Sequence, residues 1–299
     1  MTGATTSVWA TGQRPSRVQR RGRYVPESMR HPGKMLPSIA ARVIATYTEP
    51  GELVVDPMCG IGTTLVEAAH LGRHAAGVEF EERWARLAVA NLGHAKKQGA
   101  PGFGQVVAGD SRHIARLLPD LVGRAALVLT SPPYGAATHG HIRSTRDTGE
   151  PGVRKWNQHY STDRANLAHQ QLPALLEGFG RILAGCVELL RPGGGVAAIT
   201  VRPYRVRGEL VDLPGHVHQL AEEVGLVFAD RIVCLLCGLG EGRLLNRASF
   251  FQLHEARKAW ARGTPIHAVA HEDLLVFRRP GTPTGSQNLK DLRGERELQ

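Results

Sequence analysis

Short apolar segments typical of strands alternate with longer amphipathic segments typical of helices through most of this chain. Residues 36–48 (LPSIAARVIATYT) repeat apolar side chains at helical spacing, and residues 51–57 (GELVVDP) contain a short buried strand. The alternation continues to the final predicted strand, within residues 271–279 (HEDLLVFRR). Strands that alternate with helices form a largely parallel sheet covered by helices on both faces, so the predicted fold class is α/β.

The ends of the chain and two internal segments depart from this pattern. Residues 1–30 carry arginines and almost no acids and have no apolar period, so they are predicted to be a basic, disordered arm. Residues 136–170 and 238–270 also lack a period and are predicted to be inserted loops. The polar residues 280–299 are predicted to be a disordered tail. Residues 31–279 then form one domain.

The charge of the chain is strongly positive. Its 299 residues include 37 Lys and Arg against 27 Asp and Glu, a formal net charge of +10 at pH 7. This excess favours a polyanionic partner, with nucleic acid as the first candidate and an anionic membrane surface as the second. No run of about 18 apolar residues is present and the N-terminus lacks a signal-peptide core, so neither a membrane span nor secretion is expected. The expected location is the cytoplasm, where sparse cysteines stay as thiols.

The segment after the first core strand is typical of a nucleotide-binding turn. Asp56 ends the strand, and Gly60 and Gly62 follow it just before a helix. Glycines let the backbone approach a ligand closely, and the first N–H groups of a helix are unpaired. A dinucleotide fingerprint requires Gly or Ala where this sequence has Leu65, so hydride-transfer chemistry is disfavoured.

Two further strands also end in a carboxylate. Glu79 closes the strand of GVEF, and Asp110 follows the strand of GQVVAGD. Parallel strands end at one edge of a sheet, so the two are expected beside Asp56, where they suit a ligand with hydroxyl and amino donors. This describes an adenosine-shaped site, although Asp110 with Ser111 is also consistent with the start of a helix.

The most specific motif is Ser131-Pro132-Pro133-Tyr134, at the end of the fourth strand. Two consecutive prolines fix an extended turn and leave their carbonyl groups without ladder partners. A hydroxyl and a carbonyl that accept from one amino group, beside an aromatic ring, suit a planar nucleobase. A surface turn is the alternative interpretation.

In these motifs the chain resembles the S-adenosylmethionine-dependent amino methyltransferases, especially the DNA N4-cytosine and N6-adenine enzymes. The matching segments are HPGKMLP at 31–37, DPMCGIGTT at 56–64, GVEF at 77–80, GDS at 109–111, TSPPYG at 130–135, RPGGGVAAITV at 191–201 and HEDLLVFRR at 271–279. The resemblance implies a seven-stranded Rossmann-like class I methyltransferase sheet with helices on both faces, whose last strand lies antiparallel beside the sixth. It also implies S-adenosylmethionine as the cofactor.

The resemblance further implies which residues hold the cofactor. They are His31, Lys34, Asp56, Pro57, Cys59, Gly60, Gly62, Thr63, Thr64, Glu79, Phe80, Asp110 and Ser111. Among them, Asp56 and Gly60 are implied at the methionine part of the cofactor and Glu79 at its ribose.

By the same resemblance, the Ser131 hydroxyl and the Pro132 carbonyl accept hydrogen bonds from the target amino group, Pro133 completes the turn, and Tyr134 stacks on a flipped base. Accepting these protons localises electron density on nitrogen, which suits direct transfer of the methyl group. Ser at the first position is similar to the cytosine-N4 enzymes, whereas Asp or Asn there is typical of adenine N6 or guanine N2. Cytosine C5 methylation is disfavoured because the chain has no Pro-Cys pair.

The leading hypothesis is a site-specific DNA methyltransferase that acts on cytosine N4 or adenine N6. A tRNA guanine-N2 methyltransferase is the first alternative, and a non-catalytic, cofactor-sensing DNA-binding protein is the second. A restriction-modification or defence-system partner and the oligomeric state stay open. Contacts to nucleic acid are expected from residues 136–170 and from Arg243, Asn246, Arg247, Arg257, Lys258 and Arg262.

No metal site is predicted. Cys234 and Cys237 form a single pair within an apolar strand, so they are expected to be buried thiols. The histidines of the first inserted loop lack a neighbouring cluster of carboxylates. They are His139, His141, His159 and His169.

Overall fold

A computed structural model describes residues 6–135, 141–143, 154–156, 163–206, 208–247 and 250–281. The strands are β1 (Val8–Trp9), β2 (Leu53–Asp56), β3 (His74–Glu79), β4 (Phe103–Ala108), β5 (Leu127–Thr130), β6 (His141–Arg143), β7 (Arg154–Trp156), β8 (Val196–Val201), β9 (Tyr204–Val206), β10 (Glu209–Val211), β11 (Val227–Leu235), β12 (Gly238–Gly240), β13 (Arg243–Leu245) and β14 (His271–Arg278). The α-helices are α1 (Ser16–Arg20), α2 (Pro37–Tyr47), α3 (Thr63–His70), α4 (Glu82–Lys97), α5 (Ile114–Leu117), α6 (Leu172–Leu189), α7 (Leu213–Glu223) and α8 (Phe250–Ala261). Short 3-10 helices cover Pro26–Arg30, Ser111–His113, Pro119–Leu121 and Leu167–His169.

The main sheet of the described residues has eight strands in the order β1-β11-β14-β8-β5-β2-β3-β4. β2, β3, β4, β5 and β8 pair in parallel, while β14 lies between β8 and β11 and runs antiparallel to both. The mixed α/β fold with a mostly parallel sheet is confirmed. As the resemblance implied, the last strand, β14, lies antiparallel beside the sixth core strand, which is β11. The eighth strand is β1, which extends the seven-stranded sheet expected from the sequence.

Helices cover both faces of this sheet. On one face, Phe179 and Leu183 of α6 belong to the same buried cluster as Val128 and Ile199 of the strands. On the other face, α2 and α3 pack in a second cluster that includes Leu129. Strands buried on both faces are largely apolar, which is why β5 begins with the apolar run Leu127, Val128 and Leu129.

The parallel pairing brings the ends of four strands to one edge of the sheet. Asp56 pairs with Gly77 near the end of β3, and Glu79 pairs with Ala108 at the end of β4. Thr130, which ends β5, pairs with Ile199 near the end of β8. Because β14 runs the other way, its first residues lie at this same edge. Open α/β sheets bind ligands at this carboxyl edge.

Residues 6–30 are not a disordered arm, which corrects the expectation from their composition. β1 pairs in parallel with β11, α1 follows it, and the Arg20 and Tyr24 side chains are buried. The Arg23 guanidinium forms two hydrogen bonds with the Glu67 carboxylate of α3, at 2.8 and 2.6 Å. Arg20 and Arg23 therefore have partners within the fold, which a count of charges cannot reveal. Residues 1–5 lie outside the described residues.

The second predicted loop, residues 238–270, contains regular structure and is also corrected. β12 and β13 form a hairpin, and α8 follows it before β14 begins. The hairpin turn is made by Glu241 and Gly242, whose φ angles of 48° and 72° are both left-handed, as in a two-residue hairpin turn. Most of the first predicted loop, residues 136–170, and the predicted tail from residue 282 lie outside the described residues.

The four cysteines are free and buried. Burial raises the pKa of the Cys59 thiol well above its ordinary value, and it also raises the pKa of Cys234 to about 12. The expectation of buried core thiols at Cys234 and Cys237 is confirmed.

Within the described residues, none of the helices combines the length and the apolar character needed to cross a bilayer. This agrees with the sequence, in which charged side chains interrupt each apolar run.

We expect Trp9→Ala to destabilise the fold by about 3 kcal/mol, because a buried aromatic side chain leaves a cavity when it is truncated. The Trp9 ring is 4 % exposed and packs in the cluster of α2, with the Arg42 guanidinium carbon 4.4 Å from its centroid. Urea unfolding followed by circular dichroism measures the change. Val8→Ala, at a half-exposed position of the same strand, is the matched control. An unchanged urea midpoint for Trp9→Ala would show that β1 does not pack on the sheet.

Candidate functional site

A large cavity of about 1380 Å³ opens at the carboxyl edge of the sheet. It exceeds the roughly 300–1,000 Å³ of an ordinary small-ligand pocket. All of the predicted site residues line it except Pro57 and Gly62. The lining residues among them are His31, Lys34, Asp56, Cys59, Gly60, Thr63, Thr64, Glu79, Phe80, Asp110, Ser111, Ser131, Pro132, Pro133 and Tyr134. The cavity therefore joins the predicted cofactor residues to the predicted base-binding turn and has room for more than one ligand group.

Pro57 and Gly62 shape the site from behind its wall. The Pro57 carbonyl accepts a hydrogen bond from the Ser111 hydroxyl. Gly62 begins α3 with a left-handed φ of 80°, and a Cβ there would lie 3.1 Å from Ala88 of α4. This glycine permits the turn and the close packing of two helices.

Asp56 is buried at the base of the cavity. Its Oδ2 accepts from the Thr64 hydroxyl at 2.6 Å, and its Oδ1 accepts from the Met58 N–H at 3.1 Å. Burial raises the pKa of Asp56 to about 6, although these hydrogen bonds act in the opposite direction. A carboxylate retained in so costly a place is typical of a functional site.

Glu79 is the second buried carboxylate, and it is held by backbone N–H groups. Its Oε2 accepts from Gly60 at 2.8 Å, and its Oε1 accepts from Glu81 at 2.9 Å. Burial raises the pKa of Glu79 to about 7, against the effect of both hydrogen bonds. Each carboxylate oxygen has a second lone pair, so Glu79 retains capacity to accept from ligand hydroxyls.

The glycine turn is built for close approach to a ligand. Gly60 has a left-handed φ of 54°, and a Cβ on it would lie 3.1 Å from Nε2 of His31. At Gly77, a Cβ would lie 2.8 Å from Sγ of Cys59. Side chains at these positions would collide with the turn or intrude on the cavity. The residues therefore fit an adenosine-containing cofactor, with backbone at the turn and carboxylates at the strand ends.

Asp110 is engaged with a neighbour on its own loop. Its carboxylate pairs with the Arg112 guanidinium, with Nη2 at 2.6 Å and Nε at 2.9 Å. It also accepts from the Arg112 N–H at 3.0 Å, as the cap of the short helix Ser111–His113. Burial alone would raise the pKa of Asp110, but Arg112 holds it below its ordinary value. Both sequence interpretations of Asp110 therefore agree with its position, because it caps a helix and lines the cavity.

The Ser131–Tyr134 turn projects from the end of β5 into the same cavity. Gly135 ends it with a left-handed φ of 71°, where a Cβ would meet the Gln170 carbonyl at 2.9 Å. The Tyr134 ring lies 5.9 Å from the Tyr204 ring in a T-shaped arrangement. The Arg202 guanidinium carbon lies 5.3 Å from the Tyr134 centroid, within cation–π distance.

Several residues that line the cavity were not predicted from the sequence. Arg202 and Tyr204 follow the end of β8, and Glu272 begins β14. Oε2 of Glu272 is buried and has no hydrogen-bond partner among the described residues, and burial raises the pKa of Glu272 while Arg202 acts to lower it. Arg202 could have been predicted from the sequence, because it directly follows a core strand that ends at the binding edge. Glu272 is harder to predict from the sequence, because it begins an antiparallel strand and does not end a parallel one.

The basic side chains expected to contact nucleic acid reach the cavity only in part. Arg247 and Arg262 line it, and Arg247 also donates to the Gly12 and Gln13 carbonyls at 2.8 and 2.9 Å. The others of this set are exposed, namely Arg243, Asn246, Arg257 and Lys258.

In the described residues, no group of three or more His, Cys, Asp or Glu side chains is placed to hold a metal ion. His139 and His159 lie outside these residues.

Comparison with known families supports the motif-based resemblance. A family model described as DNA methylase matches residues 3–90, so the predicted resemblance is confirmed over that segment. The tRNA (guanine(10)-N2)-dimethyltransferase of Methanocaldococcus jannaschii is 31% identical over 134 residues, which are 44% of this chain and 37% of that protein. The enzyme of the same name from Methanothermobacter thermautotrophicus is 27% identical over 139 residues, 46% of this chain and 37% of that protein. The chain thus spans little more than a third of the length of these curated relatives.

Two solved structures are similar to this chain over most of its length. TrmN from Thermus thermophilus has a TM-score of 0.48 and 17% identity, covering 88% of this chain and 53% of that one. Magnesium protoporphyrin IX methyltransferase from Synechocystis PCC 6803, with bound S-adenosylmethionine, has a TM-score of 0.43 and 12% identity, covering 81% and 76%. The predicted class of cofactor, S-adenosylmethionine, is confirmed by the family match. The roles of individual residues and the extent of a methyltransferase domain over 31–279 stay predictions.

Because Glu79 is buried, we expect Glu79→Gln to gain stability relative to the natural chain as pH rises. The folded pKa of about 7 lies above the ordinary value of 4.5, so the unfolded chain ionises first and the carboxyl costs folding free energy at higher pH. From pH 5 to pH 8 the difference in unfolding free energy between the two proteins should move by about 2 kcal/mol toward the variant.

Urea titrations at several pH values measure this difference. Glu49→Gln, which removes a carboxylate from an exposed position, is the matched control. A constant difference between Glu79→Gln and the natural chain would mean that the Glu79 carboxyl is not perturbed.

Proposed function

We propose that this protein transfers a methyl group from S-adenosylmethionine to the exocyclic amino group of a flipped base in DNA. One observation carries the proposal: the Ser131–Tyr134 turn lines the same cavity as the buried carboxylates Asp56 and Glu79. A cavity lined only by the two carboxylates would suit a nucleotide. A proline-rich turn without them would suit many kinds of surface contact. Their common cavity suits two ligands that react with each other.

At the cofactor end of the cavity, residues of this chain would bind and orient S-adenosylmethionine. Glu79 accepts from ribose hydroxyls, while Phe80, Asp110 and Ser111 frame the adenine. Asp56, Cys59, Gly60, Thr63 and Thr64 border the methionine part, and Pro57 and Gly62 hold the turn from behind. When bound, S-adenosylmethionine supplies a methyl group on a positively charged sulfur.

At the base end, the chain holds the amino group for attack. The Ser131 hydroxyl and the Pro132 carbonyl accept hydrogen bonds from its N–H groups, which localises electron density on the nitrogen. Asp56, Gly60 and Glu79 would hold the cofactor, which would supply the methyl group that this nitrogen receives, and solvent would take the amino proton that is lost. Tyr134 stacks on the base, and the neighbouring Arg202 and Tyr204 complete the aromatic and cationic wall.

DNA is favoured as the substrate by the DNA methylase model, and Ser131 favours cytosine N4 over adenine N6. A tRNA guanine-N2 methyltransferase is the second candidate, because the curated relatives act, by name, on guanine of tRNA.

Phosphate contacts would come from basic side chains at the cavity, Arg247 and Arg262. A partner from a restriction or defence system would supply target recognition. A non-catalytic sensor is disfavoured by the complete turn in the cavity.

Identification of the methylated nucleoside tests the proposal. Purified protein is incubated with isotopically labelled S-adenosylmethionine and, separately, with unmethylated DNA and with tRNA, and the digested nucleosides are identified by mass spectrometry. We expect labelled N4-methylcytosine from DNA. N6-methyladenine would correct the base, and label in tRNA guanine alone would establish the second candidate. Absence of label from both substrates would contradict catalysis by the isolated chain.

We expect Tyr134→Ala to slow methyl transfer by roughly 10- to 100-fold, because stacking on a single base contributes about 1–3 kcal/mol. Cofactor affinity should stay within about twofold, since the ring faces Tyr204 and Arg202 on the base side of the cavity. Single-turnover rates and calorimetric titration measure the two effects. Tyr134→Phe keeps the ring and should retain most of the rate. Equal losses of rate and cofactor affinity in Tyr134→Ala would contradict a role on the base.

A further inference from the structure

The last turn of α8 carries an indole ring that is open to solvent. Trp260 is 55 % exposed, whereas Trp9 and Trp84 are buried. Its Nε1 donates to the Ile266 carbonyl at 2.7 Å. That nitrogen is the only polar atom of the side chain, so the surface that Trp260 presents to solvent is apolar aromatic carbon. Tryptophan side chains with one satisfied polar end and one open apolar end are enriched at binding interfaces.

The local fold fixes the orientation of this ring before any ligand binds. α8 is closed by Gly263, which has a left-handed φ of 80° and donates its N–H to the Trp260 carbonyl at 3.0 Å. This turn folds residues 264–267 back beside the end of the helix. The His267 ring then meets the indole ring in a T-shaped arrangement, with the centroids 5.7 Å apart. A ring held on two sides loses little conformational entropy when a planar group stacks on it.

Trp260 lies beside the mouth of the cavity. Its neighbours Ala259 and Arg262 line the cavity, and so does His267. Arg262 and His267 are also exposed, so the cavity wall reaches solvent at this point. The Ser131–Tyr134 turn lies deeper in the same cavity, where its residues are buried or half-buried. A base held at that turn would therefore leave the next base of its strand near the mouth.

The side chains around the ring are basic. Residues 243–262 contain five Arg or Lys and one acid, Glu255. On α8 and just after it, Arg257, Lys258 and Arg262 are exposed, and none of the three forms an ion pair with another described residue. An aromatic surface among such cations is complementary to a nucleotide strand, which presents bases and phosphates together. A second copy of this chain would bring like charges face to face.

We infer that Trp260 stacks on the base next to the target base in the bound strand. This inference rests on the proposed function and adds to it a contact outside the cavity. When the target base leaves its strand, the adjacent base loses a stacking partner, and the indole ring takes the place of that partner. Stacking on an indole depends little on the identity of the base. The contact therefore supports binding without setting the target sequence.

Two single strands with the same phosphates and different bases test this inference. Each is a 12-nucleotide DNA strand with one central cytosine, in which the other positions are all thymidines or all abasic. Fluorescence anisotropy of an end-labelled strand measures the affinity. We expect the natural protein to bind the thymidine strand roughly 10- to 100-fold more tightly than the abasic strand. Trp260→Ala should remove most of that preference by weakening only the thymidine strand, and Trp260→Phe should retain most of it.

Matched variants separate stacking from charge and from exposed aromatic surface in general. Lys258→Met removes a cation next to Trp260 and should weaken both strands alike, because their phosphates are the same. Phe103→Ala removes an exposed ring at the start of β4, at the opposite edge of the sheet from the cavity, and should leave both affinities unchanged. Equal weakening of both strands by Trp260→Ala would show that the ring only supports the fold.

Indole fluorescence gives a second readout. Trp9 and Trp84 are 4 % and 8 % exposed, so a strand has no access to stack on them. We expect the thymidine strand to quench part of the emission of the natural protein, and that part to be absent from Trp260→Phe. Identical quenching in the two proteins would contradict stacking on Trp260.

The outcomes for the two proposals are distinguishable. Equal affinity of the natural protein for both strands, while the protein still methylates DNA, would overturn this inference alone. Absence of labelled product from DNA would overturn the proposed function on which the inference rests.

Discussion

Parallel pairing of β2, β3, β4, β5 and β8 is the constraint on which the rest of the structure depends. The pairing aligns the carboxyl ends of these strands, so residues far apart in the chain meet at one edge of the sheet. Apolar side chains on both faces hold the strands between layers of helices, and little freedom of register remains. The cavity lies where the helices part at this edge, and its chemistry is set by the residues that end each strand.

The cavity concentrates groups whose charges are costly to bury. Asp56 and Glu79 have pKa values raised by burial, and Lys34 has one lowered by burial and by Arg20. Each shift means that the charged form is less stable in the folded protein than in water. A fold that keeps such groups of both signs in one cavity is poised for a ligand that satisfies them.

The N-terminal segment changes how the site is understood. It contributes a strand to the main sheet, ties α3 through the Arg23–Glu67 ion pair, and brings Arg20 to the cavity wall. The family model begins at residue 3, which agrees with an N-terminal segment that belongs to the fold. Its positive charge is therefore used partly inside the protein. The net charge of +10 overstates the charge presented to an external polyanion.

The sequence by itself determined the α/β class, the order of the core elements, the carboxylates at three strand ends and the Ser131–Tyr134 turn. These features are local, because the apolar period of a segment and the residue that ends it can be read without knowing what packs beside it. The tertiary structure decided the burial of Arg20, the pairing of β1 with β11, and the arrival of Glu272 at the binding edge. Those features depend on contacts between segments that are distant in the chain, such as β1 and β11, which lie about two hundred residues apart, and on burial that changes the energy of a charge. An arginine-rich segment looks the same in sequence whether its guanidinium groups meet water or a buried carbonyl, and only the packed chain distinguishes the two.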